Sequence, residues 1–178
     1  MCAFEPLQSY HQDEFRDYLQ CQRCRLVVVP HAQRLAREEE KARYDLHRND
    51  PNDQGYRAFL SRLKDPVLER IPPPAQGLDF GSGPEPVLQM LLSEAGYDMK
   101  IFDVFYAVQP EVLEIKYDFI TCCEVVEHLY APGPTLTRLL ALIRPGGLLA
   151  VMTKLVLDRD RFRTWHYIRD PTHVSFFS

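Results

Sequence analysis

Glu124, Glu127 and His128 stand at i, i+3 and i+4 in the segment Glu124-Val125-Val126-Glu127-His128-Leu129. The spacing predicts the start of a helix, with all three side chains on one face at the carboxyl end of a strand. Two carboxylates and an imidazole converging there form a ligand set for a divalent ion. The competing reading has His128 packed under a sheet and both glutamates in solvent. Mixed oxygen and nitrogen donors suit magnesium or manganese, with zinc or iron as alternatives. Such an ion leaves positions for two substrate oxygens and lowers the pKa of an attacking hydroxyl. Without metal, His128 or His173 is suited to act as a general base.

The element that must position these groups is Gly77-Leu78-Asp79-Phe80-Gly81-Ser82-Gly83, an apolar run ending in an acid and a glycine-rich turn. Val87, Leu88, Leu91, Leu92 and Ala95 follow as one apolar helical stripe that Gly96 can close. The order is strand, turn, helix. Glycines 81 and 83 predict a tight turn that brings a ligand against bare amides at a helix N-terminus, so a nucleotide-like ligand is expected. About 24 residues beyond Asp79, after the apolar segment Met99 to Phe102, Asp103 has the spacing of an acid presented to ribose hydroxyls by a second strand.

Further along, Tyr117-Asp118-Phe119-Ile120-Thr121-Cys122 reads as a buried strand, and Leu142 to Thr153, containing Arg144-Pro145-Gly146-Gly147, as a turn plus strand. With these motifs in this order, residues 77–153 resemble the class I S-adenosylmethionine-dependent methyltransferases. The resemblance implies an α/β, Rossmann-like, doubly wound and mostly parallel sheet, with S-adenosylmethionine as cofactor. It implies that Asp79, Phe80, Gly81, Ser82 and Gly83 face the methionine moiety, Asp103 the ribose, and Val104 and Phe105 the adenine. Cys122 and Cys123 would flank the cofactor, their thiols small core groups rather than nucleophiles. One departure is Glu85, between Pro84 and Pro86, where the usual turn has a third glycine.

The Glu124-x-x-Glu127-His128 segment is similar to the metal site of the ubiquinone-pathway O-methyltransferases and of the small-RNA 3′-terminal 2′-O-methyltransferases. In the second group a further histidine joins from beyond the fifth strand, and His173 in Asp170-Pro171-Thr172-His173-Val174 is the candidate. The resemblance therefore implies a divalent ion on Glu124, Glu127, His128 and His173, with Glu127, His128 and His173 taking part in catalysis. The leading expectation is metal-assisted O-methylation of a small hydroxylated molecule. The alternatives are a metal-independent N-, O- or C-methyltransferase with a histidine base, and a scaffold that binds S-adenosylmethionine without turnover. Trp165, His166, Tyr167 and Arg169 would line a substrate pocket or simply pack.

At the N-terminal end, Cys21-Gln22-Arg23-Cys24 before Leu26-Val27-Val28-Val29 has the form of half a zinc ribbon. Cys2-Ala3-Phe4-Glu5 stands where the second knuckle belongs. Structural zinc on Cys2, Cys21, Cys24 and either His11 or Glu5 is one reading, and a degenerate ribbon that merely packs is the other. The expected organisation is a zinc-ribbon-like element at 1–30, a helical segment at 31–71 and the cofactor-binding core at 72–178, entered through Pro72-Pro73-Pro74. Asp53 is placed to cap a helix carrying Tyr56, Phe59, Leu60 and Leu63. Only 26 residues follow Met152, so the sheet reads as C-terminally incomplete.

The chain has 178 residues, 46% of them hydrophobic, which supports one main core and a small appendage. A net charge of −4 without a basic run disfavours RNA and favours a small-molecule substrate. No stretch reaches the ~18 apolar residues of a membrane span. Nothing at the start resembles a signal peptide, and five cysteines with two adjacent at 122 and 123 do not read as a disulfide framework. The sequence thus predicts a cytoplasmic protein and leaves the oligomeric state open.

Overall fold

A computed structural model describes residues 6–46 and 48–178. In chain order the strands are β1 (Leu7–Gln12), β2 (Asp17–Cys21), β3 (Val27–Val28), β4 (Gln76–Phe80), β5 (Asp98–Phe102), β6 (Tyr117–Cys123), β7 (Ile143–Met152) and β8 (Ser175–Phe176). The α-helices are α1 (Arg37–Tyr44), α2 (Gln54–Arg70), α3 (Val87–Glu94), α4 (Pro132–Leu142) and α5 (Arg159–Thr164). The chain divides into two compact units. One comprises Tyr44–Val125 and Arg138–Met152; the other comprises the described residues up to Arg43 with Val126–Thr137 and Thr153–Ser178.

The first unit is built on a four-stranded sheet in the order β5-β4-β6-β7, and every neighbouring pair is parallel. Central strands buried on both faces need continuous apolar runs, which Leu78, Phe80, Phe119, Ile120 and Cys122 supply. Leu60, Leu63 and Val67 of α2 and Leu88, Leu91 and Leu92 of α3 form one apolar cluster with Phe119. The Asp53 carboxylate caps α2 by accepting from the amides of Gly55 at 2.7 Å and Tyr56 at 3.2 Å. This mixed α/β unit with its parallel sheet is consistent with a Rossmann-like methyltransferase fold. Between Asp103 and Asp118 the short segment forms a 3-10 turn, Pro110–Leu113, with Val112 and Leu113 buried, so no strand occupies Val112–Ile115. In α4, Leu139 and Leu142 are buried but Leu140 faces solvent.

The second unit holds an antiparallel sheet in the order β1-β2-β3-β8. The N-terminal strands share this sheet with the C-terminal end of the described chain, Val27 pairing with Phe176 and Val28 with Ser175. Its core is aromatic. Phe162 meets Tyr18 edge-on at 5.2 Å and Phe176 at 5.4 Å, with Val27, Val29 and Val174 filling in around them.

The residues of the expected zinc ribbon are described only in part. Cys21 is buried at the end of β2 and Cys24 is exposed in the following turn. The His11 ring stacks on Tyr18 with centroids 5.7 Å apart. Cys2 and Glu5 lie outside the described residues, and among those described Cys21, Cys24 and His11 do not gather into a ligand group. Among the described residues, no helix is long and apolar enough to cross a membrane.

Candidate active site

In the first unit, β4 carries Asp79 to the glycine turn as a buried side chain. Thr121 of β6, directly opposite in register, donates its hydroxyl to Asp79 Oδ1 at 2.7 Å. Burial pushes the Asp79 carboxyl up to about 6; the Thr121 bond works against that rise and the nearby Asp103 adds to it. Gly81 has φ +79° and its missing side chain leaves room for Val125, whose methyl a Cβ would meet at 2.5 Å. Gly83 also has positive φ, +68°, but a Cβ there would meet nothing within 4 Å. One glycine is therefore required by packing and conformation together, the other by conformation alone.

The sequence leads one to expect bare amides in this turn, but they are bonded within the fold. Gly81 N donates to Phe102 O at 2.7 Å and Ser82 N to the same oxygen at 3.3 Å. Gly83 N donates to Asp103 Oδ2 at 3.0 Å. Asp103 Oδ1 in turn accepts from the amides of Phe105 and Tyr106, so this buried carboxylate fastens the glycine turn to the loop after β5. Glu85, at the expected third glycine, accepts from Asn49 N at 2.6 Å. Val104 is exposed and Phe105 half-buried, its ring 5.7 Å from Tyr44. Cys122 is fully buried; Cys123 packs against the α2–α3 cluster. The Ser82 hydroxyl is buried without a hydrogen-bond partner. That unmet hydroxyl, the open space over Gly83 and the buried acid Asp79 fit a polar ligand such as the methionine moiety.

The second unit brings Glu127, His128 and His173 together. Each offers a ligand atom, and these atoms lie within 4.8 Å of one another. The predicted helix is replaced by a 3-10 turn, Val126–His128. Glu124 precedes it in a left-handed conformation, φ 51°, because its amide continues the pairing of β6 by donating to Met152 O at 2.8 Å. Helical spacing at Glu124 is thereby lost, and the three-residue group does not include it. The turn still places Glu127 inward, fully buried, and His128 half-buried beside it.

Both imidazoles are oriented through Nδ1. His173 Nδ1 lies 2.8 Å from Tyr167 O, and His128 Nδ1 lies 3.2 Å from Thr172 O. Carbonyl oxygens only accept, so each ring carries a proton on Nδ1, and in the neutral form its lone pair is on Nε2. This is the arrangement a metal-binding histidine takes when a carbonyl fixes its tautomer. The rings stand edge to face, 4.7 Å apart. Burial holds His173 below the usual imidazole range, against the pull of Asp170 and the Tyr167 carbonyl. Burial also opposes ionisation of Asp170, but the hydroxyl and amide of Thr172 and the two imidazoles keep that carboxyl below its ordinary value. The Tyr167 hydroxyl donates to Glu127 Oε1 and contacts Thr153 Oγ1 at 3.1 Å.

Of the residues expected to line a pocket, Tyr167 is buried and Trp165 half-buried against the aromatic core, while His166 and Arg169 are exposed. Lys154 Nζ lies 2.8 Å from His166 Nε2. Sequence reasoning missed Thr121, Thr172 and the tie from Tyr167 to Glu127. Thr121 left a signal, being a lone hydroxyl in an apolar strand, and Thr172 left one in lying two residues from its partner Asp170; the Thr172 carbonyl and the Tyr167 hydroxyl left none, since their partners His128 and Glu127 are distant in sequence.

A sequence model describing a methyltransferase domain matches residues 52–178, and the chain belongs to that family, one of S-adenosylmethionine-dependent enzymes. Among curated proteins it is similar to the ubiquinone biosynthesis O-methyltransferase of Pseudomonas entomophila (strain L48), 28% identical over 71 residues, which are 40% of this chain and 31% of that protein. The protein of the same description from Aeromonas salmonicida (strain A449) is 29% identical over 77 residues, 43% of this chain and 32% of its own length. The chain thus spans about a third of the length of the curated relatives it matches.

Proposed function

We propose that the protein transfers the methyl group of S-adenosylmethionine to a hydroxyl oxygen of a small molecule, assisted by a divalent ion held by Glu127, His128 and His173. The observation that carries this reading is the convergence of those three ligand atoms within 4.8 Å, with both imidazoles held in the Nδ1–H form by carbonyls. The donor set of one carboxylate and two imidazoles suits manganese, zinc or iron better than magnesium. Such an ion, when bound, supplies Lewis acidity that makes a coordinated hydroxyl a better nucleophile near neutral pH. The cofactor supplies a methyl group already activated by its sulfonium.

The chain's own residues bind and orient. Asp79, kept in place by Thr121, gives a buried negative charge to the amino end of the methionine moiety, while Phe80, Gly81 and Ser82 shape the turn and Gly83 leaves it open. Asp103 holds that turn and retains lone pairs for ribose hydroxyls. Phe105 offers an aromatic face for the adenine beside Val104, and Cys122 and Cys123 are small groups at the end of β6. Tyr167 orients Glu127 with its hydroxyl and His173 with its carbonyl. The similarity to ubiquinone biosynthesis O-methyltransferases supports transfer to oxygen.

A second reading rests on the burial of His173, which holds its imidazole below the usual range and so favours the neutral form. A neutral imidazole with its lone pair on Nε2 serves as a general base without metal. Titration of chelator-treated protein with S-adenosylhomocysteine, then with Mn²⁺, separates the readings. Binding of both, with the Mn²⁺ signal lost in Glu127→Gln, supports the metal-assisted reaction. Binding of S-adenosylhomocysteine with no Mn²⁺, Zn²⁺ or Fe²⁺ binding replaces it with the histidine base.

A further inference from the structure

Arg16 sits in the turn between β1 and β2, far in sequence from every residue of the ligand group, yet its guanidinium is buried and directed at the segment that ends in His173. Nη2 donates to Ile168 O at 2.6 Å and to Asp170 O at 3.1 Å. Nη1 donates to Pro171 O at 3.0 Å and to His173 O at 2.9 Å. Four carbonyls within six residues are thus gathered on one planar cation. The peptide that joins His173 to Val174 is held from both sides, since the Val174 amide donates to Glu127 O at 2.9 Å. One peptide therefore ties Arg16 to the main chains of two members of the ligand group.

The turn that presents Arg16 is itself fixed. Asp13 Oδ1 accepts from the amides of Phe15 at 2.8 Å and Arg16 at 2.7 Å, and Asp13 N donates to Arg16 O at 3.1 Å. Asp13 Oδ2 accepts from the Tyr18 hydroxyl at 2.8 Å. The Arg16 guanidinium also lies over the Tyr18 ring, 5.4 Å from its centroid. Its direction is thus set by the hairpin as well as by the segment it binds. The hydrogen bond from Arg16 to His173 goes to the main-chain carbonyl; what Arg16 fixes is the main chain on both sides of the Tyr167 carbonyl–His173 Nδ1 bond.

We infer that Arg16 is a positioning residue for the Glu127–His128–His173 site: it holds segment 168–173 so that His173 keeps its Nδ1–H form and its place beside the other two candidate ligands. The consequence for metal affinity rests on the metal-assisted reading above; the consequence for the imidazole does not. Lysine cannot replace it, because an ammonium is a compact point charge with three donors and lacks the planar fork that spans four carbonyls. The hairpin at the N-terminal end thereby acquires a role in the chemistry that does not require zinc.

The test uses the full chain with ¹⁵N-labelled histidine. In wild-type protein without metal, NMR of the imidazole nitrogens is expected to show His173 as a single Nδ1–H tautomer. In Arg16→Lys that signature is expected to give way to a mixture of tautomers, while the ring of exposed His31 is unchanged. Mn²⁺ affinity is expected to fall roughly ten- to hundredfold, as for loss of other groups that orient a ligand, with S-adenosylhomocysteine affinity within about twofold of wild type by the same comparison. Asp13→Ala, which loosens the turn but retains Arg16, is expected to give the same changes at smaller size and serves where Arg16→Lys does not fold. A folded variant with the wild-type His173 signature overturns the inference. If wild-type protein binds no divalent ion but the tautomer changes in the variant, the metal-assisted reading fails and the role of Arg16 stands.

Discussion

Tyr167 holds two members of the ligand group at once: its hydroxyl donates to Glu127 Oε1, and its carbonyl accepts from His173 Nδ1 at 2.8 Å. A buried carboxylate is costly unless hydrogen-bonded, so the phenol both permits Glu127 to be buried and sets its direction. Its ring lies 4.1 Å from that of His173, which makes one aromatic side chain a wall as well as a donor.

Tyr167→Phe separates these roles, because the ring and the carbonyl remain while the hydroxyl is lost. The expected result is a roughly tenfold or greater loss of Mn²⁺ affinity, with the His173 tautomer unchanged. Removing one partner of a buried carboxylate is also expected to lower stability by about 1 to 3 kcal/mol. Calorimetric metal titration and thermal unfolding check the two halves.

The two glutamates are expected to behave differently. Glu127→Gln should abolish Mn²⁺ binding, whereas Glu124→Gln should leave it within about threefold, a change of less than about 1 kcal/mol. Paired titrations of the two variants decide this. Equal losses would return Glu124 to the ligand set that its spacing first suggested.

That contrast shows how much of the site could be read from the chain. Asp79, the glycine turn and β6 follow from local patterns: an apolar run, an acid, two glycines, then a helical stripe. Glu127 and His128 were legible as adjacent ligands. Glu124 stands apart from the three-residue group because helical spacing assumes a helix, and the Glu124 amide instead extends the β6–β7 pairing to Met152. His173 was reached through family resemblance, and its proximity to Glu127 depends on strand pairing that no local pattern encodes. Arg16 was invisible for the same reason: its partners lie more than 150 residues away in sequence. Of the expected ribbon ligands, Cys2 and Glu5 lie outside the described residues, and the unit that contains Cys21 and Cys24 is packed around Tyr18, Phe162 and Phe176.

Asp79 predicts a trade between stability and binding. Burial raises its folded pKa to about 6, above the unfolded value near 3.9. Below about pH 4 both states keep the proton and the fold carries no penalty. Between about pH 4 and 6 the unfolded chain ionises first, so wild-type stability falls, and above about pH 6 the loss is complete. Asp79→Asn removes this penalty while its amide oxygen still accepts from Thr121. The variant is expected to be more stable than wild type by up to about 3 kcal/mol at pH 7 to 8, the difference vanishing near pH 4. Denaturant unfolding across that range measures it.

The same ionisation should govern the cofactor. A cationic amino group is favoured by the charged form of Asp79, so S-adenosylhomocysteine affinity in wild type is expected to rise with pH and level off above about pH 6. In Asp79→Asn the affinity should be lower and flat over that window. Calorimetric titration at several pH values checks both slopes; a wild-type profile as flat as the variant's would place the titrating group elsewhere.

The two glycines of the turn allow a final discrimination between conformation and space. Alanine at either position must adopt positive φ, which costs about 1 to 2 kcal/mol. At Gly83 nothing more is expected from the fold, because the added methyl meets no atom within 4 Å. At Gly81 the methyl would lie 2.5 Å from Val125 Cγ2, so overpacking adds about 1 to 3 kcal/mol. Gly81→Ala should therefore unfold at clearly lower denaturant than Gly83→Ala. Cofactor affinity should show the opposite signature at Gly83, where the methyl enters the open space assigned to the methionine moiety: a near-native fold with weakened S-adenosylhomocysteine binding. The double substitution Gly81→Ala with Val125→Ala tests the packing half directly. Relieving the clash should recover part of the stability lost at Gly81, and no recovery would mean that backbone conformation accounts for the whole effect.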